Sequence, residues 1–150
     1  MSTHRVPALS AAVLVTAVPV ATWGLLGQDD YSGLPPAQLD HAVEPLDLPP
    51  GLDTALGVAA LLLAGGAAAL LARATRRGTF ARHWWQVLTP LIIAGLLAGY
   101  GVRVLTAGVV GANIGAGLMA MAGGPVLAGL ALWAAGRGLW LARREVRLSR

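Results

Sequence analysis

At 150 residues the chain has room for one domain and no appended soluble module. Its charged fraction of 12% is about half of the roughly 25% that keeps a soluble domain's surface wet, while 56% of its residues are apolar and mean hydropathy is +0.66. With no cysteine it can form no disulfide, thiolate metal site or thiol redox centre, and its net charge of +4 rests on eleven arginines and no lysine.

The hydropathy pattern predicts an all-α, polytopic membrane four-helix bundle, because four apolar runs are each near the 20 or so residues that cross a bilayer. The predicted helices span about 6–27, 53–73, 84–105 and 117–140. Nothing in so short a chain would cover four such runs as core helices. The first run has the basic start and apolar centre of a secretory signal. It is longer than a usual signal core, and Pro19-Val20-Ala21 is a poor cleavage site, so it reads as a retained helix.

The outer loop, 28–52, carries Pro35, Pro36, Pro45, Pro49 and Pro50 and cannot be one long helix. Pro36 suits a first helical turn. Leu39 and Val43 then share a face over Ala37 to Glu44, which predicts a short amphipathic helix against the outer leaflet or the bundle. Six of the seven acids, Asp29, Asp30, Asp40, Glu44, Asp47 and Asp53, lie between Gln28 and Asp53. Asp29-Asp30 lacks the spacing of a calcium loop. The acids read as a solvated cap, with an acidic docking loop as the functional alternative.

The inner loop, 74–83, is flanked and filled by Arg73, Arg76, Arg77 and Arg82. Arginine is retained on the cytoplasmic side of membranes. Both termini are therefore expected inside, in a bacterial plasma membrane. Trp84-Trp85, Trp23 and Trp140 sit at ends of runs, where an indole keeps its ring apolar and its N–H wet.

The outer turn, 106–116, lies in the sequence TAGVVGANIGAG, apolar and Gly-rich. Either the flanking helices extend into it or it folds back as irregular backbone covered by protein. The cytoplasmic tail, 141–150, continues the fourth helix with Arg143, Arg144 and Arg147. These three, with the inner-loop arginines, are expected to face lipid and attract anionic headgroups by about 1 kcal/mol each. That placement at helix ends argues against nucleic acid as a partner.

Arg103 is the most informative residue. It lies eighteen positions after Trp85, about 27 Å along a helix, which puts it at the outer boundary, where it could snorkel. The functional alternatives are an ion pair with Asp29 or Asp30, or an anion site shared with Tyr100 and Asn113. Gly95-x-x-x-Gly99 and Gly111-x-x-x-Gly115 match a close-packing pattern, with internal packing as the default. Pro19, Pro90 and Pro125 are expected to kink their helices.

No catalytic, cofactor-binding or metal-ligating set emerges. The helix interiors lack the membrane carboxylate on which small multidrug exporters rely. His4, His41 and His83 lie at or outside the boundaries and form no i, i+4 pair. Ser10 and Ser32 have no neighbouring His and acid, and no Gly loop with a lysine cradles phosphate. The expectation is therefore a non-enzymatic accessory or scaffold subunit of a membrane complex or homo-oligomer. The alternative is a small transporter or channel for an anion or neutral solute.

The segments His83-Trp84-Trp85, Leu88-Thr89-Pro90, Tyr100-Gly101-Val102-Arg103 and Gly111 to Gly117 resemble small uncharacterised four-helix integral membrane proteins of high-GC actinobacteria. The resemblance covers most of the chain. It implies a plasma membrane location and no particular activity.

Overall fold

The computed structural model describes residues 5–27, 39, 41–109 and 112–148, the side chains of 5, 112, 113, 145, 146 and 148 excepted. Helix α1 spans Arg5–Leu25, α2 Leu52–Arg76 and α3 Trp85–Thr106, the last preceded by a single 3-10 turn, Arg82–Trp84. The fourth run is α4, Ala112–Leu118, then a π-helical turn, Met119–Gly123, then α5, Gly124–Leu148. No strand is present among the described residues. Among the described residues four helices are long and apolar enough to cross a membrane: Val6–Leu25, Leu52–Arg76, Arg82–Thr106 and Ile114–Arg144.

The four are arranged as an open row. α2 packs on α1, α1 on α3, and α3 on α5, while α5 makes at most marginal contact with α1 and α2. The core lies in the first three. Leu14, Ala17, Val18 and Ala21 of α1 follow the i, i+3, i+4, i+7 spacing of one helical face. They meet Gly57, Ala60, Ala64, Ala67 and Leu71 of α2, whose alternating steps of three and four are those of a coiled-coil seam. Small residues face inward on α2, while Leu56, Leu61, Leu62, Leu63 and Leu70 are exposed. A water-soluble helix would reverse that order. Close backbone packing across small residues, the way helices associate where their surroundings are as apolar as their side chains, fits that order.

Backbone approach is tightest at the acidic end of the molecule. A Cβ on Gly24 would lie 2.6 Å from the Gly57 Cα, and one on Gly57 would lie 2.7 Å from the Gly24 carbonyl carbon. The α1–α3 seam runs through Gly95 and Gly99, where a Cβ on Gly99 would lie 2.5 Å from the Pro19 carbonyl oxygen and 2.7 Å from the Thr22 Cβ. Pro19 and Pro90 lie inside α1 and α3. Hydroxyls within the helices are satisfied locally: Thr16, Thr22, Thr75 and Thr106 each donate to the carbonyl four residues back.

The fourth run begins earlier than 117 and ends later than 140. Helix extends into the Gly-rich turn and on through the Arg-rich tail. The π-helical turn ends two residues before Pro125, which lacks an N–H and whose ring crowds the carbonyl of Met121 within that turn, a place where a widened turn relieves the clash. Met119 folds into the seam between α3 and this run. Its Cε lies where a Cβ on Gly101 (2.5 Å) or on Gly123 (2.6 Å) would sit.

Of the amphipathic helix expected over Ala37 to Glu44, Leu39 and the residues from His41 to Glu44 are not helical. Residues 37, 38 and 40 lie outside the described residues. Val43 instead donates its N–H to the carbonyl oxygen of Leu105 at 2.9 Å, which satisfies one of the exposed carbonyls at the end of α3.

Candidate functional site at the acidic end

The loop returns to the helices through Pro49-Pro50-Gly51-Leu52, where the Leu52 N–H donates to the Pro49 carbonyl at 3.0 Å. Gly51 has φ +80°, the left-handed position that a turn with proline before it requires. This turn launches α2 so that Asp53 falls in its first turn, with its carboxylate at the positive end of the helix dipole. Thr54 donates its backbone N–H to Asp53 Oδ1 at 2.8 Å.

Arg103 approaches Asp53 from the last turn of α3. Its Nη2 donates to Asp53 Oδ2 at 2.8 Å, and its Nε donates to the carbonyl oxygen of Trp23. The guanidinium carbon lies 4.8 Å from the centroid of the Trp23 ring. Trp23 stands in the last turn of α1, where carbonyls lack helical partners and the dipole is negative, so a cation there is favoured twice over. A charge-assisted bond, a terminal carbonyl and an aromatic face thus hold one side chain. Arg103 is 8% exposed, so it turns into protein instead of reaching open solvent. The result is a clamp that ties the ends of α1, α2 and α3 at the level of the Gly24–Gly57 crossing.

The loop covers this clamp and leaves a cavity of about 540 Å³ beneath it, bounded by Val43 to Gly51, Trp23, Asp53, Val102, Arg103 and Thr106. Its described lining contains the carboxylates of Glu44, Asp47 and Asp53 against the single guanidinium of Arg103. An apolar groove of about 320 Å³ adjoins it through Trp23 and Leu46, continuing over Pro19, Val20, Ala98 and Gly99.

Tyr100 is half exposed and does not line the cavity with Arg103. Asn113 lies in α4, its side chain outside the described residues. Asp29 and Asp30 also lie outside them, so the described acidic partner of Arg103 is Asp53. At the opposite, basic end, Arg73, Arg76, Arg77, Arg82, Arg143, Arg144 and Arg147 are all exposed. There α2 ends on Gly78, at φ +72°, whose N–H donates to the Thr75 carbonyl. Trp85 Nε1 donates to Thr75 Oγ1 at 2.9 Å, and its ring meets Phe80 edge-on with centroids 6.4 Å apart. An apolar cavity of about 480 Å³ lies between this loop and the start of α1, lined by Pro7, Ala8, Phe80, Trp84 and Leu88 among others.

No group of three or more His, Cys, Asp or Glu side chains among the described residues is placed to hold a metal ion. Sequence reasoning singled out Arg103 but not Trp23 as its carbonyl and aromatic partner, nor the Gln86–Arg137–Trp140 contact on α3 and α5. The i, i+3 spacing of Arg137 and Trp140 was the available signal for the latter. In comparisons with known proteins, no family model, no curated protein and no solved structure matches the chain.

Proposed function

We propose that this chain is a multi-pass membrane protein that works without enzymatic chemistry, as an accessory or scaffold subunit of a larger membrane assembly. Its acidic loop faces outward and its Arg-rich segments face a bacterial cytoplasm, with both termini inside and anionic lipid against the basic end. The observation that carries the reading is the commitment of Arg103. Arg103, in the last turn of α3, serves a clamp between helix ends, and the seam between α3 and the fourth run is filled by Met119. What remains for a partner is the loop, the leucine face of α2 and the far side of α5, where the most apolar stretch of the fourth run has 11% of its residues buried against 33% in the first and third.

The test is extraction of the tagged chain from its native membrane in mild detergent, with identification of stoichiometric co-purifying proteins. A partner retained by the wild type and lost from Leu46→Asp or Gly129→Leu supports the reading; a lone monomer overturns it. The cavity under the loop favours a second reading, a small transporter or channel. An excess of carboxylates in its described lining suits a neutral solute better than an anion. That reading requires flux through wild-type protein in reconstituted vesicles, whereas the accessory reading requires none.

A further inference from the structure

Arg137 near the basic end of α5 is held in a fixed pose. Both its Nε and its Nη2 donate to Gln86 Oε1 of α3, at 2.8 and 2.6 Å, and its guanidinium carbon lies 4.4 Å from the centroid of the Trp140 ring. Arg144 approaches the same ring, at 5.4 Å. Neither arginine has a carboxylate partner among the described residues. Trp133, Arg137, Trp140 and Arg144 recur at steps of four, three and four, so they form one stripe along α5. Beside the stripe, Leu132, Trp133, Gly136, Arg137 and Trp140 line a hollow of about 370 Å³, and the absent side chain of Gly136 leaves it open.

We propose that this stripe is a binding site for one anionic phospholipid. The phosphate sits between the guanidinium groups of Arg137 and Arg144, and an acyl chain runs over Gly136 between Leu132 and Trp133. Several features converge on that occupant. Two cations share one indole and no carboxylate among the described residues neutralises them, an arrangement that an intervening anion relieves of its repulsion. A neutral amide, Gln86, orients Arg137 without discharging it, which leaves its remaining N–H groups for phosphate oxygens. The hollow next to the charges is lined by Leu and Trp, which suits a chain and not a free ion. Indoles at this height belong to a membrane interface. The assignment narrows general attraction of the basic end for anionic lipid to a single site, and it rests on the membrane reading above.

The experiment uses the full chain purified in uncharged detergent, after carbonate extraction has shown that it stays with membranes; failure at that step would remove the membrane reading itself. Native mass spectrometry then counts lipids retained from an equimolar mixture of phosphatidylglycerol and phosphatidylcholine, with and without inorganic phosphate. One phosphatidylglycerol retained in preference to phosphatidylcholine is expected. Arg137→Gln with Arg144→Gln should lower its occupancy constant roughly 25-fold, about fivefold per arginine. Arg73→Gln with Arg76→Gln, equal in charge removed but without an indole, should change it less than twofold. Gly136→Leu keeps every charge and fills the hollow, and should lower retention of lipid. Equal loss from both arginine pairs, no preference between the lipids, or full displacement by millimolar phosphate that Gly136→Leu leaves unaltered would each overturn the assignment.

Discussion

Arg103 gathers more interactions than any other described side chain at the acidic end, and its variants should rank by how many are lost. Arg103→Gln removes the charge that faces Asp53, the cation over Trp23 and the geometry of the bond to the Trp23 carbonyl. Asp53→Asn removes one charge and leaves Arg103 its other contacts, at a carboxylate that is a quarter exposed. Glu44→Gln touches only the cavity wall. The expected order of thermal stability in detergent is Glu44→Gln, then Asp53→Asn, then Arg103→Gln, and an Arg103→Gln variant as stable as Glu44→Gln would show that the clamp does not hold the helix ends. At the other end, Trp85→Phe keeps the ring beside Phe80 but loses the bond to Thr75, at a cost of about 1 kcal/mol. Thr75→Val loses the same bond, so the double variant should fall short of the sum of the two by about 1 kcal/mol in chemical denaturation. At this scale the sequence was half legible. Arg103 stood out because a charge in an apolar run demands an explanation. Asp53 was visible as one acid among six, yet nothing in a linear sequence says that the start of α2 meets the end of α3. That meeting depends on the Gly24–Gly57 crossing, which is a property of the packed backbones.

Glycines separate the elements that carry the fold from those that do not. Ala at Gly99 would place a Cβ 2.5 Å from the Pro19 carbonyl oxygen, and Ala at Gly57 would place one 2.7 Å from Gly24, so backbones must move apart. Overpacking of this kind costs about 1–3 kcal/mol. Gly65 and Gly66 have nothing within 4 Å of the same position, and there alanine should stabilise α2 by roughly 0.5–1 kcal/mol through helix propensity. Unfolding in detergent of Gly57→Ala, Gly99→Ala, Gly65→Ala and Gly66→Ala measures all four, and equal effects would mean that the seams are looser than the distances say. The Gly95-x-x-x-Gly99 spacing marked a close approach in the sequence, although only the structure identifies α1 as the helix it receives. Gly65-Gly66 has the same composition and the opposite role, because which face of an almost uniformly apolar helix turns inward is not written in hydropathy. The start of the fourth run was illegible for a related reason: Ala112 to Gly117 has small residues that suit either a turn or a helix, and packing against α3 decides.

At the scale of the molecule, four long apolar helices were legible, since length and hydropathy suffice, and their order in space was not. A four-helix bundle of the water-soluble kind closes because each helix must hide an apolar stripe. On the proposed membrane reading that demand vanishes, and a row α2–α1–α3–α5 can stay open with leucines on both edges. The absence of native cysteine makes the arrangement directly measurable. Val87 and Gly138 face each other across α3 and α5, with 3.9 Å between a Cβ on Gly138 and the Val87 Cγ1. Val87→Cys with Gly138→Cys should therefore oxidise to an intramolecular disulfide in membranes, since the Val87 Cγ1 marks a position open to a cysteine sulfur beside the new Cβ. Leu62→Cys on α2 with Leu132→Cys on α5 probes the two edges, where both side chains are more than 70% exposed. An open row forbids a disulfide between them within one chain. A cross-link that appears only as a dimer band would set the edges of two copies against each other and favour a homo-oligomer over a mixed complex. An intramolecular cross-link would mean that the helices close into a ring, and the far side of α5 would then be unavailable to any partner.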